Sequence, residues 1–504
     1  MNNKNSVWKA TAEKSNYPPL KKDISVDVAI VGGGITGLTC AYLLSKSGKS
    51  VVVLEANEIG NGATGFSTGN LYSTVDSRLF QLASKFDEET SKEVVKSRAS
   101  AVDLIEDIIV QNHISCDFFR TPWHLFTETD EEKSTIEKEF KAAENAELAA
   151  TLLESLPLPF LIKSAVRIEG QAQFNPMKYI KGLAKAISGD CAIYENSRVL
   201  NFGSGNPCVL ETSLAKINAK HIILASHTPK GVYAIQGAIF PYREDAIAFK
   251  LNNANYPPAG IYWGLTKSQH HSFRTYTTEN QKFLVVVGEH YKVGQAEDSM
   301  KKFNQLEKFA RDRFDIASVE YKWAAQSYRS ADGIAYIGEI EENIFTGTGF
   351  SADGLTYGTL TAMIISDLIN GVKNKWAYTY DINRHNPLKS AKEFLKENIN
   401  VLGEYIKDWP GFADVDELKE IKKGEGQVIS IKGKKIAAYR DTNNMVHTMS
   451  AVCTHMKCIV NWNNAEKSWD CPCHGSRFDL EGNVLEGPAM ANLSPKDLIE
   501  NSNK

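Results

Sequence analysis

The chain has 504 residues, 42% hydrophobic and 23% charged, with a formal net charge of -4; this is an ordinary globular balance, and the lack of a basic excess argues against a nucleic-acid partner. Its length exceeds the roughly 250–300 residues that one hydrophobic core serves, so at least two domains are expected. No apolar leader follows Met1-Asn2-Asn3-Lys4-Asn5 and no run approaches the roughly 18 apolar residues of a membrane span, so a cytoplasmic protein without a transmembrane segment is expected.

The first strong pattern is Asp27-Val28-Ala29-Ile30-Val31, a β-branched strand running into Gly32-Gly33-Gly34-Ile35-Thr36-Gly37, with helical spacing from Leu38 to Ser45. Gly32, Gly34 and Gly37 supply the tight turn, the close approach to a pyrophosphate and the helix packing of a dinucleotide fingerprint. Val51 to Leu54 reads as the next strand, and Glu55 at its end is placed to accept bonds from ribose hydroxyls. A tight glycine turn is the plain alternative, and the fingerprint alone does not separate NAD from FAD.

The segment Gly60-Asn61-Gly62-Ala63-Thr64-Gly65-Phe66-Ser67-Thr68-Gly69-Asn70 resembles the second glycine-rich loop of the D-amino-acid oxidase, glycine oxidase and sarcosine oxidase flavoproteins. That resemblance implies FAD, with Thr64 and Thr68 as cofactor-binding candidates. Between roughly 168 and 321 a substrate-facing antiparallel sheet is expected, with alternating strands at Phe240 to Phe249, Phe273 to Thr277 and Phe283 to Val287. Arg243, His270, His271, Arg274 and Tyr276 are polar or aromatic groups that could face its pocket, and Arg274 is taken as a candidate substrate group. Each is also an ordinary surface or hydrogen-bonded residue. His227 follows the strand Ile222-Ile223-Leu224-Ala225, where the family's chain returns to FAD.

Tyr328-Arg329-Ser330-Ala331-Asp332-Gly333-Ile334-Ala335-Tyr336-Ile337-Gly338 resembles the Arg-x-x-x-Asp-Gly-x-Pro-x-Ile-Gly segment of the same flavoproteins, with Ala335 in place of Pro. The resemblance makes Arg329 the first candidate for anchoring a substrate carboxylate, since a guanidinium donates two parallel hydrogen bonds. An internal salt bridge is the competing role. Gly347-Thr348-Gly349-Phe350-Ser351-Ala352-Asp353-Gly354-Leu355-Thr356 then opens a helix through Leu360 to Ile369. In the family this loop returns to the flavin, which implies cofactor contacts at Gly349, Gly354, Leu355 and Thr356.

From Lys389 to Lys423 the chain is rich in Lys and Glu, with apolar spacing at Phe394, Leu395, Ile399, Leu402 and Ile406 that predicts a docking helix broken at Trp409-Pro410-Gly411. Strand-like pieces follow at Val428 to Ile431 and Ile436 to Tyr439. Two ligand-rich loops close the sequence: Cys453-Thr454-His455-Met456-Lys457-Cys458 and Cys471-Pro472-Cys473-His474-Gly475-Ser476. Thiolates and imidazoles at this spacing suit a mixed-ligand iron–sulfur centre, with tetrahedral zinc as the alternative. The loops resemble the two-loop motif of Rieske proteins. That resemblance implies Cys453 and Cys471 on one iron of a [2Fe-2S] cluster, His455 and His474 on the other, and a disulfide between Cys458 and Cys473. Cytosolic disulfides are rare, which sets the compartment against that bond; Cys40, Cys116, Cys191 and Cys208 are expected as buried thiols.

Two positions depart from the Rieske pattern. Lys457 replaces a usual Gly, so a slightly different loop course is expected, and Phe478 replaces the Tyr of high-potential members, which predicts a lower potential. Gly487-Pro488-Ala489 resembles the proline loop that covers the cluster.

The combined expectation is an α/β FAD-binding Rossmann-like domain with an antiparallel-sheet substrate domain over 1–400, a linker over 401–422 and a small all-β Rieske domain over 423–504. Its function would be FAD-dependent oxidation of a small amine or amino acid, with electrons relayed through the cluster to an external redox protein or quinone. A quinone acceptor would put the protein at the membrane periphery. The alternatives are an electron-transfer component for a hydroxylase or quinone, and an oxidase with a redox-sensing cluster.

Overall fold

The computed structural model describes residues 5–187, 189–253, 255–266, 270–384, 417–431 and 433–495. The strand Ile24–Val31 lies inside an eight-stranded sheet of these residues, paired in parallel with Val51–Leu54 on one side and Lys216–Leu224 on the other. Cys191–Tyr194 and Ile344–Thr348 continue the parallel order outward. The uninterrupted apolar runs of these strands follow from burial on both faces. Val28, Ile30, Val51 and Val53 pack with Leu38 and Leu360 of the helices Ile35–Lys46 and Gly354–Ile369. Ala29, Val31, Val52 and Leu54 instead meet Cys208 and Leu210 on the opposite layer.

The turn after Ile24–Val31 accepts only glycine at its two ends. Gly32 has φ +116°, and a Cβ there would stand 2.6 Å from the Ala225 carbonyl oxygen; one on Gly37 would stand 2.0 Å from the Gly32 carbonyl oxygen. The close approach brings the helix Ile35–Lys46 against the sheet with its N-terminus beyond the strand ends.

A second sheet of ten described strands stands beside the first. Its centre is the set Ile316–Ser330, Ile239–Leu251, Lys282–Lys292 and His270–Thr277, paired antiparallel. Ile261–Leu265 pairs in parallel with the strand Phe119–Thr127, so the sheet is mixed at one seam. It reaches from Asn70–Leu71 to Phe350–Ser351, whereas Cys191–Tyr194 and Lys216–Leu224 belong to the parallel sheet. The expected 168–321 unit is therefore interleaved with the nucleotide half, because the chain crosses between the two sheets several times.

The C-terminal part is all β, as expected. Gly426–Ile431, Lys434–Arg440 and Val446–Ser450 form one small sheet, and Asn461–Asn463, Ser468–Asp470, Arg477–Phe478 and Val484–Glu486 form another. The expected docking helix, including Trp409-Pro410-Gly411, falls mostly on 385–416, outside the described residues. No helix among the described residues is long and apolar enough to cross a membrane.

Candidate active site and cluster loops

The glycine turn, the Gly60–Asn70 loop and the start of the helix Gly354–Ile369 open onto one cavity of about 520 Å³. Gly32, Gly34, Glu55, Thr64, Thr68, Gly354 and Leu355 line it. Gly37, Gly349 and Thr356 do not: Gly37 packs under the turn, Gly349 lies against Ser330 and Tyr336, and Thr356 is buried in its helix. At Gly34, the N-cap of the helix Ile35–Lys46, a Cβ would meet only the Thr64 hydroxyl, which accepts the Ile35 N–H at 3.1 Å. This helix start, bare of side chains, is a cradle for a pyrophosphate. Glu55 accepts the N–H groups of Gly33 at 2.8 Å and Asn57 at 2.9 Å, so it braces the turn and retains lone pairs for a ribose.

The C-terminal domain closes the far side of the same cavity. Arg477, Glu486, Gly487 and Met490 line it beside Gln326, Ser327 and His227. The two ligand-rich loops lie directly behind this wall. Gln326 Nε2 donates to the Gly475 carbonyl at 2.8 Å and Tyr328 donates to the His474 carbonyl at 3.3 Å. Gly475 permits the approach: with φ +75°, its missing Cβ would stand 2.6 Å from Pro241 and 2.8 Å from Gln326. Lys230 donates to the Gly487 carbonyl, and Gly231 donates to that of Pro488 at 3.2 Å, which fixes the proline loop on the chain leaving Lys216–Leu224.

His455 makes the most specific contact. Its Nε2 lies 3.0 Å from the Gly231 carbonyl and 3.1 Å from Gln236 Oε1. Gln236 Nε2 already donates to the carbonyls of Pro229 at 3.0 Å and Gly231 at 2.8 Å, so its oxygen is the atom that faces His455. Both neighbours of Nε2 are acceptors; the proton therefore sits on Nε2 and the lone pair on Nδ1. Nδ1 of His455 and Nδ1 of His474 are both buried without a hydrogen-bond partner, on rings whose centres are 5.0 Å apart. Two adjacent unpartnered ring nitrogens, each with a lone pair to offer, fit a pair of metal ligands.

The sulfur side fits as well. Cys453 and Cys471 are free, buried and within hydrogen-bonding reach of each other, and Cys458 is joined to Cys473 by a disulfide. The sulfurs of Cys458, Cys471 and Cys473 lie within 4.8 Å of one another, but the disulfide removes two of them as ligands. Ser476 touches Cys453 and accepts the Ala489 N–H at 3.1 Å. Lys457 has φ +66°, so the loop keeps a left-handed residue where the family uses Gly, and the expected change of course gives way to a strained lysine. Phe478 is fully buried among the cluster-loop cysteines.

A smaller cavity of about 30 Å³ adjoins the large one, sharing Thr68, Asn70, Glu244 and Ala352 with it and adding Tyr72, Asp76, Trp263, His270 and His290. Arg329 Nη2 lies 3.3 Å from His290 Nδ1, so the neutral ring carries its proton on Nε2 and donates to Glu244 Oε1 at 3.1 Å. Burial, reinforced by Asp76, raises Glu244 to about 8. Burial works against ionisation of Asp76, yet the guanidiniums of Arg329 and Arg78 help hold it down at about 2. Burial lowers His270 to about 4 and His290 to about 3, so both imidazoles are neutral at physiological pH.

The residues singled out from sequence are distributed unevenly around these cavities. His270 lines the small one, and Arg243 and His227 line the large one. Arg329 lines neither: its guanidinium lies 4.6 Å over the Tyr242 ring and 3.9 Å from Asp76 Oδ2. Arg274 is turned away from both, donating to the carbonyls of Thr68 at 3.1 Å and Gly69 at 2.6 Å between the Trp8 and Tyr276 rings. It braces the second glycine-rich loop. His271 stacks on Phe309 at 3.8 Å, and Tyr276 bonds Asn175 at 2.7 Å. Sequence reasoning passed over Asp76, Glu244 and His290. The available signal was the charged run Arg243-Glu244-Asp245 inside a strand flanked by apolar residues.

Comparison with known proteins agrees with this architecture. Residues 27–368 match the family model FAD dependent oxidoreductase, and residues 411–497 match the Rieske [2Fe-2S] domain model. The chain is 32% identical over 503 residues to the Rieske 2Fe-2S iron-sulfur protein YhfW of Bacillus subtilis (strain 168), covering 98% of this chain and 97% of that one. It is 24% identical to gamma-glutamylputrescine oxidoreductase of Escherichia coli (strain K12), over 73% of this chain and 89% of the relative. Among solved structures, glycine oxidase from Geobacillus kaustophilus superposes with a TM-score of 0.58 at 20% identity, over 72% of this chain and 99% of that one. With a nucleotide cradle at one end of its cavity and orphaned cluster ligands behind the other, the chain belongs to the FAD dependent oxidoreductase family and carries a C-terminal Rieske domain, an enzyme that binds FAD and a [2Fe-2S] cluster.

Proposed function

We propose that this enzyme oxidises an amine or amino acid and relays the electrons from FAD through the [2Fe-2S] cluster to an external redox protein or quinone. The observation that carries the relay is the seat of His455 on Gly231 and Gln236, which follow the cavity-lining residues His227 and Lys230. FAD takes up two electrons with a hydride and releases them singly, which suits a one-electron cluster. In this reading Cys453 and Cys471 hold one iron and His455 and His474 the other. Gly32, Gly34, Glu55, Thr64 and Thr68 hold the nucleotide end of FAD, with Gly354 and Leu355 at the flavin end and Gly37, Gly349 and Thr356 supporting the fold around them. The domain limits 1–400, 401–422 and 423–504 belong to the same reading, as does a cytoplasmic location.

Glu244 is the proton acceptor of this reading. It touches both cavities, its Oε1 is held by His290, and an ionisation near 8 matches a group that must take a proton from an ammonium at physiological pH. Amine chemistry also agrees with the relatives, whose names include a glutamylputrescine oxidoreductase and a glycine oxidase. Anaerobic mixing of the holoenzyme with a panel of amines and amino acids tests the function. Flavin bleaching followed by the reduced cluster's EPR signal is expected. A cluster that stays oxidised while the flavin bleaches would overturn the relay, and an unbleached flavin across the panel would overturn amine oxidation.

A further inference from the structure

The small cavity carries information about the substrate that the family resemblance does not. Its titratable lining consists of two carboxyl groups, Asp76 and Glu244, and two imidazoles, His270 and His290; no Lys or Arg lines it among the described residues. The remaining walls include the rings of Tyr72 and Trp263, which meet edge-on at 5.2 Å. The nearest candidate for a carboxylate anchor is Arg329, and it is committed elsewhere, to His290, to the Tyr242 face and to Asp76. Arg78 stands behind the wall, 5.1 Å over the Trp263 ring with Nη1 donating to the Asp76 carbonyl at 2.9 Å, and Arg98 is fully buried against Asp353 at 3.1 Å and Tyr357 at 4.3 Å. Asp353 in turn accepts the Asp76 N–H at 3.2 Å and a bond from Tyr72, so this second ion pair backs the cavity wall without entering it. Nδ1 of His270 is buried with no hydrogen-bond partner, leaving an unengaged ring nitrogen in the same wall. Acceptors and aromatic faces without a lining cation attract an ammonium group and repel a carboxylate.

We propose that the substrate is a cationic amine with no carboxylate beside its reacting carbon, seated with its ammonium group against Asp76 in the cavity formed by Tyr72, Trp263, Glu244, His270 and His290. The inference rests on the amine-oxidising reading above and narrows it. Held by Asp76, the ammonium passes one proton to the Glu244 carboxylate. The freed nitrogen lone pair then closes a C=N bond as the neighbouring C–H bond breaks, its hydrogen and electron pair leaving to the bound FAD as oxidant. The two remaining N–H protons stay on the iminium product, which water converts to an aldehyde and ammonium. Charge and electrons balance with FAD as the two-electron acceptor.

Paired probes of the holoenzyme test this. The first pair is 1,4-diaminobutane against 2,5-diaminopentanoate, which differ by one carboxylate; the diamine is expected to bleach the flavin anaerobically at about tenfold lower concentration or less. The second pair does not turn over: tetramethylammonium is expected to perturb the flavin absorbance saturably, and acetate is not. Asp76→Asn should weaken the tetramethylammonium effect about tenfold. If that variant loses FAD, the wild-type probe pair alone decides. Saturable perturbation by acetate with none by tetramethylammonium, or bleaching by amino acids but not by amines, would overturn the substrate assignment while leaving the relay reading intact. A bleached flavin beside an oxidised cluster would overturn the relay alone.

Discussion

Two clusters of buried ionisable groups flank the cofactor cavity, and they are built on opposite principles. On the Rieske side three acids meet guanidiniums: Glu486 lies 3.5 Å from Arg243 and 3.3 Å from Arg477, Asp470 lies 3.0 Å from Arg477, and Glu466 pairs with both arginines. Burial disfavours the charge on Glu486, yet His227 and the two arginines hold it down at about 2. On the substrate side two acids share a wall with two neutral imidazoles, and the guanidiniums of Arg329, Arg78 and Arg98 stand outside the cavity. Acids matched to guanidiniums clamp two domains together; Glu244, whose side-chain partner is the neutral His290 ring, is ready for a proton.

The clamp gives the largest expected effect. Arg243→Ala removes one of the two guanidiniums that offset Glu466 and Glu486 at the domain seam and is expected to cost about 3 kcal/mol, read by chemical denaturation with cluster absorbance as the probe. A loss below about 1 kcal/mol would mean that the network is solvated and does not hold the seam. The same variant should slow cluster reduction by the flavin while leaving flavin reduction by substrate comparatively intact.

The substrate-side cluster should respond in rate. Glu244→Gln is expected to slow flavin reduction about 10²-fold in stopped-flow absorbance. Because the carboxylate is the form that accepts the proton and Glu244 is raised to about 8, the wild-type rate should climb as pH rises towards 8 and level off above it. In the variant that limb should flatten. An unchanged limb would assign the proton transfer to another group.

Smaller effects lie within the cluster loops. Lys457→Gly removes a left-handed lysine and should stabilise the Rieske domain by about 0.5–1 kcal/mol in thermal denaturation, the gain being limited by the extra freedom of glycine in the unfolded chain. Phe478→Tyr adds a hydroxyl near the ligand sulfurs and should raise the cluster's midpoint potential in voltammetry. A fall in potential would show that the ring does not reach them.

The two sides also differ in how far they can be read from sequence. The cluster ligands sit in two short loops, and the nucleotide turn is one unbroken run, so local spacing carried both. The disulfide between Cys458 and Cys473 came from family resemblance. The small cavity draws Thr68, Asp76, Glu244, Trp263, His270, His290 and Ala352 from distant segments, and only the crossing order of the second sheet brings them together. Alternation along His270–Thr277 separates His270 from His271, which sequence alone treats alike. Arg274 has the chemistry of a substrate anchor but meets three backbone carbonyls instead, a role that no composition signal distinguishes.

The two domains share one wall of the cofactor cavity. Arg477 and Glu486 belong to the Rieske domain and line the FAD cavity, so loss of the cluster through His474→Ala is expected to loosen FAD as well as abolish the metal site.

The central claim is that electrons cross from flavin to cluster inside one molecule, by way of the seam where His455 meets Gly231 and Gln236. Photoreducing the flavin of the anaerobic holoenzyme without substrate, and following the cluster's EPR signal over a range of protein concentrations, tests it most directly. The structure predicts a first-order rise whose rate is the same at every concentration. A rate that scales with protein concentration, or a cluster that stays oxidised, would contradict it.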